Sequence, residues 1–379
     1  MPEFSYSHLR RWPDVEAENL QAFDATDLLL VDRARELDVP GAEIAVIGDE
    51  YGAVTLALAA AGVRGIRVHQ DLATGRRALE RNARELGVAA PDDFTPHELD
   101  ADLLAGARLV LLQLPKSLAE LEQIADAVAR YAAPDVVLVA GGRVKHMTLA
   151  QNEVLAGRFG RVQAERAARK SRLIVAADRL PVPEQPPFPV LAQHEGFTLA
   201  AFGGAFAGAR IDIGTRVLLE VLADTRLHAG DRAAGPTIVD LGCGTGALAV
   251  AYALAHPEAR VIATDRSAAA VASARATVAA NGLAPRITVT HDDAASEIAP
   301  ASADVVLLNP PFHLGASVHT GAATRLFEAA ARVLRPGGEL YTVFNSALGY
   351  RGELSRSIGE TVQLRRTPKF TVTRSIRRG

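Results

Sequence analysis

Cysteine is almost absent from this 379-residue chain, with Cys243 standing alone. That excludes an intramolecular disulfide and a cysteine-based zinc cluster, and no metal is expected. No apolar run is long enough to span a bilayer, and Met1-Pro-Glu-Phe-Ser lacks the charged-then-apolar pattern of a secretion signal. A cytoplasmic protein with no membrane partner is expected. A strong charge of one sign is missing too. The formal net charge is −3 and the pI about 6.4, so composition alone does not mark a nucleic-acid binder. Basic residues do cluster locally: Arg166, Arg169, Lys170 and Arg172 end the first half, and Arg365, Arg366, Lys369, Arg374, Arg377 and Arg378 lie in the tail. Each cluster reads either as a phosphate-positioning patch or as the solvated face of an edge strand.

What is present is an ordinary globular composition, 49% hydrophobic and 22% charged, at a length that suits two domains. Leu180 to Val190 holds five prolines, which excludes a helix or a central strand and reads as an extended connector. The expected division is a first domain over 1–178, a linker over 179–195 and a second domain over 196–379. Two domains in one chain lessen the need for a dimer, and a monomer is expected.

The most informative stretch is Asp304-Val-Val-Leu-Leu-Asn309-Pro310-Pro311-Phe312. Val305 to Leu308 suits a strand covered on both faces, and the prolines end it, since neither donates to a ladder. An amide, fixed carbonyls and a flat ring are thereby left at the carboxyl edge of a strand, where open α/β sheets bind ligands. Such a corner holds a planar amine: Asn309 and the Pro310 carbonyl accept its N–H bonds while Phe312 stacks on its ring. A second feature sits upstream. Ile238-Val239-Asp240-Leu241-Gly242-Cys243-Gly244-Thr245-Gly246 is a strand entering a glycine loop, followed by a helix over Ala247 to His256. The glycines let a backbone approach a ligand closely, and the helix amides favour an anion such as a carboxylate. Asp265 ends the next strand 19 residues after Gly246, a usual place for an acid that grips ribose hydroxyls. Cys243 reads as a small residue in the loop, not as a nucleophile.

The chain also repeats itself at an offset near 195 residues. Ile44 to Gly52 aligns with Ile238 to Gly246, Asp71 with Asp265, and Leu109 to Lys116 with Val305 to Phe312. Pro134 to Gly142 parallels Pro336 to Phe344. Elements in the same order argue for a duplicated α/β domain. In the first copy Glu50 replaces the middle glycine, and Gln113, Leu114 and Lys116 replace the amide, the first proline and the ring. That copy reads as non-catalytic.

On these residues the second half resembles a class I S-adenosylmethionine-dependent methyltransferase. The whole chain resembles the guanine-N2 methyltransferases of bacterial ribosomal RNA, the RlmG (large-subunit) and RsmC (small-subunit) families. Leu20 to Asp27 and Leu114 to Ala119 look more like the large-subunit branch. The resemblance implies two tandem Rossmann-like methyltransferase domains, the first degenerate and the second with a seven-stranded sheet. It implies S-adenosyl-L-methionine as cofactor and methyl transfer to a guanine N2 of ribosomal RNA, 23S favoured over 16S. The same corner serves enzymes acting on adenine N6 of DNA or on a glutamine amide of release factors. An RNA-binding assembly factor that retains a cofactor pocket is the non-enzymatic alternative.

By the same resemblance Asn309, Pro310, Pro311 and Phe312 are the catalytic residues. Asp240, Gly242, Gly244, Gly246, Asp265, Arg266 and Asn309 face the cofactor. Phe206 and Asp212 border its methionine end, although Ala207 stands where the families have serine, and a lone aromatic such as Phe206 beside glycines is more often core packing than a site. Asp293, or else Asp292, bonds the adenine amino group. His313 is expected to touch substrate or solvent, because an exocyclic amine sheds its proton readily without a dedicated base.

Overall fold

The computed structural model describes residues 4–88, 92–224, 235–311 and 319–379. Contacts divide the chain into Met1–Phe188 and Pro189–Gly379, a break inside the proline-rich stretch. Five residues near the end of the expected linker are not extended coil. Val190–His194 forms a strand of the second unit, because proline ends at position 189 and the backbone from Val190 onward can pair.

The first unit contains strands β1 (Ile44–Ile47), β2 (Ile66–His69), β3 (Phe94–Pro96), β4 (Leu109–Gln113), β5 (Val137–Arg143), β6 (Phe159–Ala164) and β7 (Ser171–Arg179). Its helices are α1 (Ala25–Leu37), α2 (Ala53–Ala60), α3 (Ala73–Leu86), α4 (Ala101–Leu104), α5 (Leu118–Tyr131) and α6 (Leu149–Ala156). The second unit opens with a hairpin of β8 (Val190–His194) and β9 (Phe197–Ala201). It continues with β10 (Thr237–Leu241), β11 (Arg260–Asp265), β12 (Ile287–His291), β13 (Ala303–Leu308), β14 (Leu334–Asn345), β15 (Thr361–Arg366) and β16 (Phe370–Ile376). Its helices are α7 (Ile213–Asp224), α8 (Ala247–Ala255), α9 (Ala268–Ala280), α10 (His319–Val333) and α11 (Arg351–Ser357).

The two large sheets have the same topology. The orders are β3-β2-β1-β4-β5-β7-β6 and β12-β11-β10-β13-β14-β16-β15, seven strands each. In both, the first five strands are parallel and the last two pair antiparallel. One order occurring twice in one chain is what duplication of a seven-stranded class I methyltransferase fold produces. The sequence reason is plain at the centres: Leu109-Val-Leu-Leu and Val305-Val-Leu-Leu are buried on both faces. Pro336 to Gly338 lie within β14, whose register with β13 shifts between Ala303 and Val305.

Two details bear on function. In the second unit, α9 and its C-cap present Ser273, Thr277 and Asn281 at four-residue spacing along one face. They bond the backbone of Phe202, Ala200 and Thr198 (2.9, 3.0 and 3.0 Å), so side chains of a helix close the open edge of β9. In the first unit, Ala168 and Ser171 exchange both backbone bonds (2.9 and 2.8 Å) around a two-residue tip, Arg169-Lys170. Both tip residues have positive φ, 51° and 64°. That is the pattern of a type I′ hairpin turn, where Asn-Gly is favoured. A side chain held there costs about 1–2 kcal/mol per residue.

Candidate active site

The second unit's sheet reverses its order at β10, which has β11 on one side and β13 on the other. Leu241 is level with Thr264 of β11 and Leu308 of β13, and Asp265 is level with His291. Stepping one residue beyond that row reaches Gly242, Asp265 and Asn309 on neighbouring strands, roughly 5 Å apart per strand. The topology, not local sequence, is what brings these motifs to one edge.

The glycine loop is built for close approach. Gly242, Gly244 and Gly246 have φ of 75°, 54° and 80°. A Cβ on Gly242 or Gly244 would meet no atom within 4 Å, whereas one on Gly246 would press on Ala274 at 3.2 Å. Gly246 is therefore required by packing of α8 on α9, and the first two line an open cradle. Asp265 holds that cradle in shape. Its carboxylate accepts from the Gly244 and Ser267 amides, each at 2.9 Å. Arg266 contributes its carbonyl, which accepts from His291 Nε2 at 2.8 Å.

Asp240 lies inside the fold. It is 0% exposed and accepts from the Ala249 amide of α8 at 2.9 Å, beneath the loop. Burial raises its pKa to about 7, opposed by the Ala249 bond and reinforced by the charge of Asp265. Its place makes it a support of the helix start. The two candidates for an adenine partner are also engaged. Asp292 accepts from Ser296 Oγ (2.5 Å) and the Glu297 amide (2.9 Å), while Asp293 forms an ion pair with Arg325. Burial pushes the Cys243 thiol up, which keeps it protonated and agrees with its reading as a small loop residue.

Asn309 is the centre of the other half. Its Nδ2 donates to Asp212 Oδ2 at 3.0 Å and to Thr215 Oγ1 at 2.9 Å, and its Oδ1 is buried without a partner among the described residues. A carboxylate only accepts, so Asp212 fixes which end of the amide is nitrogen. The remaining oxygen is an oriented, unpaired acceptor. Asp212 also accepts from the Gly214 and Thr215 amides (3.0 and 3.3 Å), so it caps α7 and orients Asn309 at once. Gly214 is confined: a Cβ there would lie 3.1 Å from Asp212 Oδ2 and 3.2 Å from Asn309 Oδ1. Pro310 is buried and Pro311 exposed, while Phe312 and His313 lie outside the described residues. Phe206 is 66% exposed, so its core reading does not hold.

Thr215 escaped the sequence reading. The first copy held the signal: there Gln113, the counterpart of Asn309, donates its amide to Asp27, three residues after the α1 cap Asp24. Thr215 stands three residues after the α7 cap Asp212. The duplicated fold thus keeps an amide-to-helix bond in both halves. The first copy differs where a ligand would enter. Asp49 accepts from the Val54 and Thr55 amides (3.2 and 2.7 Å), taking over at α2 what Asp240 does at α8. Residues of the N-terminal segment cover the loop, with Tyr51 donating to Asp14 (2.9 Å), Arg11 over the Tyr51 ring and Asn82 donating to the Arg10 carbonyl (2.9 Å).

The family model for the methyltransferase small domain matches residues 196–374, and that for the RLMG N-terminal domain matches 2–179. The chain is 34% identical over 376 residues to the ribosomal RNA large subunit methyltransferase G of Pseudomonas fluorescens (strain Pf0-1), covering 98% of each chain. It is 33% identical over 386 residues to the protein so named from Streptomyces coelicolor, covering 97% of each. Among solved structures, the T. thermophilus 16S rRNA N2 G1207 methyltransferase RsmC, in complex with AdoMet and guanosine, superposes with a TM-score of 0.73 at 24% identity. That match covers 94% of this chain and 92% of the other, and extends the fold likeness across both units.

Proposed function

The chain belongs to the ribosomal RNA large subunit methyltransferase G family, and from that premise we propose that it methylates the exocyclic N2 of a guanine in 23S ribosomal RNA. The observation that carries this reading is the Asn309 carbonyl oxygen. It is buried, unpaired among the described residues and locked in orientation by Asp212 and Thr215 at the carboxyl edge of the sheet. A neutral amine with N–H bonds to donate is the complement of such an acceptor. The neighbour of like fold was solved with AdoMet and guanosine, which supports a purine as the occupant.

The residues present fit S-adenosylmethionine. Gly242 and Gly244 form a cradle that any Cβ would enter, and Asp265 stands at its rim. When bound, the cofactor supplies an electrophilic methyl group. The chain's own part is placement. Asn309 Oδ1 accepts one N–H of the amine and orients its nitrogen, and Pro310 and Pro311 hold the backbone carbonyls of that corner fixed. Phe312 is assigned to stack on the base. No strong base is required of the chain, since the amine loses its proton readily once it carries the methyl. Asp240, Asp292 and Asp293 serve as supports of the site. The first unit is assigned a non-catalytic role, because Glu50 stands at the middle glycine's position and residues of the N-terminal segment cover the loop.

The test is methyl incorporation from labelled S-adenosylmethionine into protein-free 23S RNA, protein-free 16S RNA and both assembled subunits, followed by nucleoside analysis. N2-methylguanosine confined to 23S-derived samples is expected. Label in 16S, or in no RNA at all, overturns the assignment.

A further inference from the structure

We propose that the Arg169-Lys170 hairpin tip of the first unit, with Lys145 and Arg166 beside it, is a surface that grips the phosphates of structured RNA. The inference rests on the RNA substrate argued above and adds where that RNA is held. Three observations carry it. First, the tip has the conformation that Asn-Gly adopts without strain, yet two long basic side chains occupy it at positive φ. Strain retained at an exposed turn points to a use for the side chains themselves.

Second, these cations are unspent. Lys145, Arg166, Arg169 and Lys170 are exposed, and none pairs with a carboxylate among the described residues. Glu165, the neighbouring acid, is already held by the two terminal nitrogens of the Arg33 guanidinium (2.6 and 2.9 Å). Third, the tip is fixed. Val144 donates to the Lys170 carbonyl at 3.0 Å, and Arg143 is level with Ser171, which sets the turn Val144–His146 and its Lys145 against the hairpin. The backbone bonds hold the bases of these side chains in place, so the turn itself has little freedom to lose on engaging an anion.

Edge protection does not account for these residues, because they sit on a turn and not along β6, the edge strand. A stacking platform for unpaired bases is thin here: Phe159, the one Phe, Tyr or Trp between positions 140 and 172, is buried, and His146 is the ring exposed beside the cations. Phosphate contacts without base contacts position an RNA rather than read it.

The full chain carrying Arg169→Asn and Lys170→Gly separates a structural role from a binding one. The variant relieves the turn, so its thermal midpoint should rise. Its affinity for protein-free 23S RNA at low salt should fall about tenfold or more, and the slope of log affinity against log salt should shrink by about two. S-adenosylmethionine affinity should not move. The charge-retaining Arg169→Lys, Lys170→Arg chain should keep the wild-type slope. RNA affinity and slope equal to wild type in the Asn-Gly variant would overturn the proposal. So would a loss confined to the assembled subunit with naked-RNA binding intact, which would mark a protein-docking face instead. Absence of methyl transfer by the wild-type chain would count against the proposed reaction and leave this binding measurement readable.

Discussion

Asn309 donates to Asp212 at 3.0 Å across 97 residues of sequence, joining the end of β13 to the start of α7. The bond turns a flexible amide into an acceptor with one allowed orientation. Removing the acceptor should remove most of the rate. Asn309→Ala is expected to lower kcat by about 10²–10³, the range seen when one preorganised polar group at a reacting centre is deleted. Its S-adenosylmethionine affinity, read by calorimetry, should stay near wild type. Full activity in this variant would mean the amine is held elsewhere.

Asp212 and Thr215 act through Asn309, and substitutions can separate that role from helix capping. Asn caps a helix about as well as Asp, so Asp212→Asn should leave the thermal midpoint nearly unchanged. It should nevertheless cut kcat by roughly tenfold or more, because an amide facing Asn309 no longer dictates which end of that amide is nitrogen. Thr215→Val should behave likewise, and Thr215→Ser should restore the rate. A fall in stability with kcat unchanged would assign both residues to the fold alone.

The parts of this architecture that were legible in sequence are those where local chemistry and topology agree. Val305 to Leu308 could only be a covered strand, and the glycine loop, Asp265 and Asn309 were placed by their order in the chain. What stayed hidden depends on contacts between distant segments. Nothing local shows that Asp240 lies under α8 rather than facing a ligand, or that Asp292 is taken up by its own following turn. Phe206 looked like core because an aromatic beside glycines usually packs, yet its loop turns it outward. Thr215 carried no motif of its own, and only the bond between Gln113 and Asp27 in the other copy would have pointed to it.

Asp240 sets a pH dependence whose sign follows from its burial. With a folded pKa of about 7 against an ordinary 3.8, the folded chain keeps a proton that the unfolded chain has released between those values. Stability is therefore fullest below about pH 4 and declines as pH rises towards 7, by roughly 4 kcal/mol as an upper bound. Asp27, raised by burial to about 8, acts with the same sign in the first unit. Asp240→Asn keeps the acceptor for Ala249 but buries an amide without a partner, so its thermal midpoint should be lower at pH 4. Thermal scans of the second unit's transition between pH 4 and 7 should then be nearly flat for the variant. A slope as steep as wild type would place the titrating group elsewhere.

The two copies satisfy the same helix amide with an acid from different positions, and that exchange can be run backwards. Thr55 in α2 bonds Asp49, and its counterpart Ala249 in α8 bonds Asp240, while Val46 stands where Asp240 would be. Asp49→Ala leaves two buried amides unpaired and should destabilise the first unit by about 1–3 kcal/mol per amide. Adding Val46→Asp returns a carboxylate to the position used in the second copy and should recover part of that loss, read as the thermal midpoint of the first unit's transition. If the double variant is no more stable than Asp49→Ala alone, the two helix starts are not interchangeable, and the acid at Asp49 answers a need that arose only after the copies diverged.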